Sequence, residues 1–191
     1  KTEELCQWEH GDIVSFIEKL KIKELFEIYE NQETCSEDVL HELRDRKKCL
    51  VLIVALTQSG KTGSMLALIK NYTLNFTIPI VNIFIITGLS SKEWVAQTKI
   101  RLPPDLAVRV YHRDNLKVKF INDIKDKKNV LIIIDEIQIA AEHTLTLHEV
   151  FKKANLDNKQ KLFENDIKIV EYTATPDGTI YDAMDWKENS S

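Results

Sequence analysis

The chain has 191 residues, 43% hydrophobic and 29% charged, with a formal net charge of −4 at pH 7. That balance belongs to one globular domain with a real core, and it excludes both a disordered chain and a uniformly basic nucleic-acid coat. The three cysteines form no Cys-x-x-Cys pair, which argues against a disulfide framework or a Cys-rich zinc site and for a reducing, intracellular compartment. No apolar run approaches the ~20 residues that cross a bilayer, so no membrane partner is expected.

Residues 1–47 read as helical. Ile13, Phe16, Ile17 and Leu20 fall at i, i+3, i+4 and i+7; Leu25, Phe26, Ile28 and Tyr29 continue a second apolar face, and Val39, Leu40 and Leu43 a third. Ser36, followed by Glu37 and Asp38, is the expected start of the last helix. This stretch is expected to be an N-terminal helical extension, with residues 48–191 forming the main domain.

From Cys49 the texture changes. Cys49–Leu56, Pro79–Thr87, Ala107–His112, Asn129–Asp135 and Asp166–Thr173 are short runs rich in apolar and β-branched residues, and each predicts a strand. Continuous apolar strands are those of a sheet buried on both faces. Between them Lys61–Asn71, Ser91–Arg101, Asn115–Asp126 and Leu147–Lys153 predict helices, with Gly178–Trp186 as a further one. Lys125–Lys128 reads as a solvated charged turn. The alternation implies an α/β fold with a mostly parallel twisted sheet flanked by helices.

The chemistry-bearing run is Ala55-Leu56-Thr57-Gln58-Ser59-Gly60-Lys61-Thr62, which follows a strand and opens a helix. In that context Thr57, Gln58, Ser59, Gly60, Lys61, Thr62 and Gly63 are candidates to cradle a polyphosphate. Loop and helix N–H groups point at the anion, Lys61 reaches its β- and γ-phosphates, and the Thr62 hydroxyl ligates Mg²⁺. Asp135 ends the run Val130–Asp135 and is the candidate acid for Mg²⁺; Glu136, beside it, is placed to orient and deprotonate an attacking water. Thr173-Ala174-Thr175-Pro176 closes the last strand with hydroxyls that can report the state of the γ-phosphate. The five glycines are fewer than the ~7% usual in globular chains, and four of them (Gly60, Gly63, Gly88 and Gly178) fall at strand ends on this edge. His143 and His148, five apart, do not share a helical face and are poor metal-ligand candidates.

The ordered series ALTQSGKT, DEIQ starting 74 residues after Lys61, and TATP resembles motifs I, II and III of superfamily 2 helicases and translocases of the DExH/D-like group. Ala55 in place of a first glycine is normal in that family, whereas Gln58 stands where the family usually has glycine. The resemblance implies a P-loop (Walker A) NTPase fold of RecA-like type that binds ATP and Mg²⁺ and hydrolyses ATP, with Lys61 and Glu136 catalytic and Thr62 and Asp135 on the metal. It implies that Gln138, Thr173 and Thr175 couple nucleotide state to a nucleic-acid site. Gly88, Ser90, Ser91 and Lys92, with Trp94 and Gln97, resemble the motif Ia loop that grips a DNA or RNA backbone. Gln32, 29 residues before Lys61, resembles the adenine-reading glutamine. Tyr111-His112-Arg113 follows a strand toward the same track.

The family's motor has two RecA-like domains, so this chain is expected to be the first of them, with the second in the full-length protein. A chain that starts at Lys1 and not Met carries the same expectation of a fragment. The ATPase domain of a DNA-packaging terminase, a restriction-type translocase, or a catalytically silent nucleotide-binding or protein-interaction module fits the same residues.

Overall fold

The computed structural model describes residues 27–55, 60–87, 104–112, 115–135 and 141–174, together with Ser15, Ala96, Lys99, Ile100 and Leu102. The expected helix at Gly178–Trp186, and most of those at Ser91–Arg101 and within residues 1–26, lie outside them.

Five strands form one sheet: β1 Leu50–Val54, β2 Ile83–Thr87, β3 Val110–Tyr111, β4 Val130–Asp135 and β5 Ile167–Thr173. Every pairing is parallel and the order is β1-β5-β4-β2-β3. β2, β4 and β5 are buried at every position, which is why β2 and β4 run apolar without alternation, whereas β5 also buries Lys168, Glu171 and Thr173. β1 pairs only with β5 among the described residues and leaves Leu52 and Val54 exposed.

Helices cover both faces. On one lie α1, Glu30–Arg44, and α2, Lys61–Phe76. Val39, Leu40 and Leu43 of α1 share a core with Leu66, Ile69 and Tyr72 of α2 and with Ile83, Ile85, Leu131, Ile133, Val170 and Tyr172 of the sheet. Glu33 and Ser36 of α1 both accept from Asn71 Nδ2, at 2.8 and 3.0 Å, and Glu33 also pairs with Lys70. Ser36 is therefore fully buried inside a helix that starts six residues earlier than expected. Its hydroxyl caps nothing and instead ties α1 to α2.

After β2 the short α3, Pro104–Ala107, precedes β3. The expected helix at Asn115–Asp126 is a π-helical turn, Leu116–Phe120, running into α4, Ile121–Ile124. With α5, Ala141–Lys153, and α6, Lys159–Glu164, it covers the second face, where Phe84, Phe120, Phe151, Ile132 and Ile169 pack together. The wider π turn seats Phe120 edge-on to Phe84 (5.7 Å) and to Tyr111 (5.3 Å).

The strand expected at Ala107–His112 shortens to Val110–Tyr111, and Ala107 ends α3 instead. The strand expected from Pro79 begins at Ile83, because Pro79 leads into a 3-10 turn at Ile80–Asn82. Proline has no N–H to give a central parallel strand. α6 was not foreseen; its N-cap Asn158 accepts from Lys161 N at 3.1 Å.

Cys49 is buried beside β1, and desolvation pushes its thiol above the usual range. Since the thiolate is the nucleophile, iodoacetamide at mildly alkaline pH should label Cys49 at least ~10-fold more slowly than the less buried Cys35. Peptide mass mapping of the labelled protein checks this; equal rates would contradict the burial.

Candidate nucleotide-binding edge

The carboxyl ends of the strands build the candidate site, where open parallel sheets bind their ligands. Register across this edge aligns Ile53 with Tyr172, Tyr172 with Asp135, and Asp135 with Thr87. Asp135 is 1% exposed. Side chains alternate along a strand, so Asp135 lies on the face of Ile133 and Leu131, which is the face that α1 and α2 cover. The buried carboxylate and the helix that Lys61 opens are thus on one side of the sheet. β5 separates β1 from β4, which puts the end of β1 about 10 Å, two strand spacings, from Asp135.

α2 starts without a side-chain cap among the described residues. Its N-cap is Gly60, in the left-handed region at φ 79°, with no acid in the first turn. Gly63 N and Ser64 N return to Gly60 O, at 2.9 and 3.2 Å. A helix start with neither side-chain cap nor first-turn acid among the described residues presents a positive end that suits an anion. Gly60, Lys61, Thr62 and Gly63 stand there as expected, and Lys61 and Thr62 are half-buried. With Asp135 they make a donor set that fits a magnesium polyphosphate: N–H groups and an ammonium for phosphate oxygens, a hydroxyl and a carboxylate for a hard cation.

Gln32 is brought to this helix start, in a way the sequence did not indicate. It is the third residue of α1, and its Oε1 accepts from Tyr29 N at 2.9 Å, half of a capping box. Its Nε2 donates to Gly60 O at 2.9 Å. The side chain is 5% exposed. Both amide atoms are engaged within the protein, joining the start of α1 to the start of α2, where an adenine reader would present them outward. This also accounts for Gly63. A Cβ there would sit 2.5 Å from Nε2 and Oε1 of Gln32, so the close packing that requires glycine is against this amide.

A double-mutant cycle should expose the contact. Gly63→Ala gains about 1 kcal/mol of helix propensity but displaces an amide holding two hydrogen bonds worth about 1 kcal/mol each. The single change should lower stability by about 1 kcal/mol. In a Gln32→Ala background the same change should raise stability. Urea denaturation reads both, and the same sign in both backgrounds would contradict the packing.

Thr173 and Tyr172 face opposite sides of β5. The Thr173 carbonyl accepts from Ala55 N at 2.7 Å, so β5 ties directly to the first residue of the phosphate run. The Thr173 side chain alternates onto the opposite face from Asp135, with Ile167 and Ile169. Tyr172, which the sequence reading missed, lies beside Asp135, and its hydroxyl accepts from Ser64 Oγ in the first turn of α2 at 3.4 Å. Burial, with smaller contributions from Cys35 and Asp135, holds its phenol well above the usual range despite the Ser64 bond. Only its place immediately before Thr173 could have drawn attention to it, since cross-strand register is not written in one segment.

Tyr111 does not extend this edge into a track: its ring is buried against Phe84 and its hydroxyl donates to Asp123 Oδ2 at 2.6 Å. Thr57, Gln58, Ser59, Gly88, Ser90, Ser91, Lys92, Trp94, Gln97, Arg113, Glu136, Gln138 and Thr175 lie outside the described residues. No helix among the described residues is long and apolar enough to cross a membrane. No family model matches the chain, and no curated protein or solved structure matches it either.

Proposed function

We propose that the chain is the ATP-binding first motor domain of a superfamily 2-type helicase or translocase, a P-loop domain of RecA-like type that acts on DNA or RNA with a second such domain. The observation that carries this reading is the pairing of a buried Asp135 with an uncapped, acid-free start of α2 on the same face of an all-parallel sheet. β5 between them supports the coupling part of the reading, because it touches both sides: its Thr173 carbonyl holds Ala55, and its Tyr172 stands between Asp135 and Ser64.

In this reading Gly60 and Lys61 bind the phosphates, with the N–H groups and ammonium aimed at the oxygens where charge builds. Thr62 and Asp135 orient the cation. Glu136 accepts the proton of the attacking water, and Gln138, Thr173 and Thr175 pass the change to Gly88, Ser90, Ser91 and Lys92 on the nucleic acid. Bound Mg²⁺·ATP supplies the phosphoanhydride that is cleaved.

Titration calorimetry with Mg²⁺·ATP tests the proposal. The wild type should bind with a measurable heat, and Lys61→Ala should weaken binding at least ~100-fold, about 2.7 kcal/mol. Asp135→Asn should remove the magnesium dependence of what binding remains. A second reading, a catalytically silent module, is favoured by one observation: the Gln32 amide is seated on Gly60 and Gly63. The same null heat from wild type and Lys61→Ala would establish that reading and sink the motor proposal.

A further inference from the structure

At the amino ends of β4 and β5 the chain forms a cleft of about 560 Å³, within the size range of small-ligand sites. It lies at the opposite end of the sheet from Asp135, about 17 Å away along β4. Its rim carries Lys125, Lys127 and Lys128 from the turn after α4, Lys153 from the end of α5, and Lys161 from α6. Asp126 is the single acid in the lining. The Lys125–Lys128 turn, which the sequence suggests is merely solvated, is therefore one wall of a concave basic site.

Two ordinary explanations fall short of this concentration. Lysines near helix ends compensate the carbonyl dipole, but α4, α5 and α6, which all end at this lining, present only about −0.5 charge each. The lining has a formal excess of four positive charges, so more than two remain after the three dipoles are met. Surface ion pairing does not absorb them: the Lys125, Lys128, Lys153 and Lys161 side chains have no carboxylate partner among the described residues. Lys127 is half-buried, and among the described residues its ammonium donates to the neutral Asn82 Oδ1, at 3.0 Å. Burial, and then the charge of Arg109, hold it below the usual lysine range against the opposing pull of Asp123. Five lysines against one acid around this cleft, in a protein of net charge −4, make a local field that attracts anions against the global one.

The floor narrows the class of anion. Ile124, Leu156 and Ile167 close the bottom and are almost fully buried, while Asn122 and Asn155 add amides at the side. A long polyanion is held by a stripe that tracks its backbone, whereas a concave rim of point charges around a short apolar floor suits a compact one. We infer that this cleft binds a small polyphosphorylated ligand, at a site separate from the Lys61 helix start.

The test uses inorganic tripolyphosphate as the probe, with backbone amide shifts of the whole chain as the readout. It is run on wild type and on Lys61→Ala, so that the outcome does not depend on the proposed motor site. Shifts at Asn155, Asn165 and Ile167 that saturate at one equivalent, with the same affinity in both proteins, are the expected result. The pair Lys125→Glu and Lys128→Glu, both exposed positions, should weaken binding at least tenfold with no change in melting temperature, while the two arginine variants should retain it. Shifts that do not saturate, or that the charge reversals leave unchanged, would overturn the inference. So would shifts confined to Gly60–Thr62. A single-stranded oligonucleotide that displaces the probe from the same residues with higher affinity would replace the small ligand by a nucleic-acid backbone and overturn it as well.

Discussion

Raising the pH above about 10, the ordinary tyrosine pKa, should unfold the protein in one cooperative step. Tyr72, Tyr111 and Tyr172 are each at most 1% exposed. Burial is the largest cause that holds each phenol above the usual range, joined at Tyr72 by the charge of Asp166 and at Tyr111 by its hydrogen bond to Asp123. The folded state keeps these protons where the unfolded chain releases them. The raised pKa values thus contribute stability that is fully present below about pH 10 and is lost as pH climbs toward the folded values. Each phenol costs about 1.4 kcal/mol per pH unit in that window, so the three together remove about 4 kcal/mol per unit. Against a total stability of about 5–15 kcal/mol, two to three units suffice to unfold the domain. Tyrosinate absorbance and far-ultraviolet circular dichroism, followed in one titration, should change together, and Tyr72→Phe should make the loss less steep by about a third. Ionisation of all five tyrosines with the circular dichroism unchanged would show that the three phenols are not sequestered.

Lys168→Met should cost about 3 kcal/mol. Lys168 is 3% exposed within β5, and its ammonium donates to Lys48 O at 2.9 Å and Arg46 O at 3.1 Å, with Asp166 Oδ1 at 3.9 Å. It thereby closes the turn between α1 and β1 onto the neighbouring strand. Hydrogen bonds from a charged donor contribute about 1.5–3 kcal/mol each, and burying the cation gives back part of that sum. The two carbonyls lie near the chain surface, where water reaches them once the ammonium is gone, which sets the loss near the lower end. Methionine keeps the apolar stem, so the measurement isolates the ammonium. For a domain of this size the melting temperature should fall by roughly 6–12 °C. An unchanged melting temperature would mean that desolvation cancels both bonds.

Much of the fold was legible before any coordinates. Val130–Asp135 reads as a strand because it is a short, almost purely apolar, β-branched run that an inner strand buries on both faces, and Ile167–Thr173 because it is short and rich in β-branched and aromatic residues. The break at Gly60 and the helix from Lys61 were legible too, since the left-handed turn needs glycine and the following residues favour helix. Local grammar misled where a tertiary contact outweighed it. Ser36 has the composition of a helix start, yet the bond from Asn71 Nδ2 and the burial of Val39, Leu40 and Leu43 keep α1 running through it. Pro79 reads as the head of a strand and instead turns the chain before β2.

Sequence by itself determined which segments are strands and that the sheet is mostly parallel, because burial and backbone preferences are properties of single segments. Only the tertiary structure decided the rest. It set the order that inserts β5 between β1 and β4, the register that puts Tyr172 beside Asp135, the amide of Gln32 on Gly60 and Gly63, and the basic cleft at the far end. Each of these joins residues distant in the chain. Such pairings are chosen by the packing of all elements at once, and no local pattern of residues encodes them.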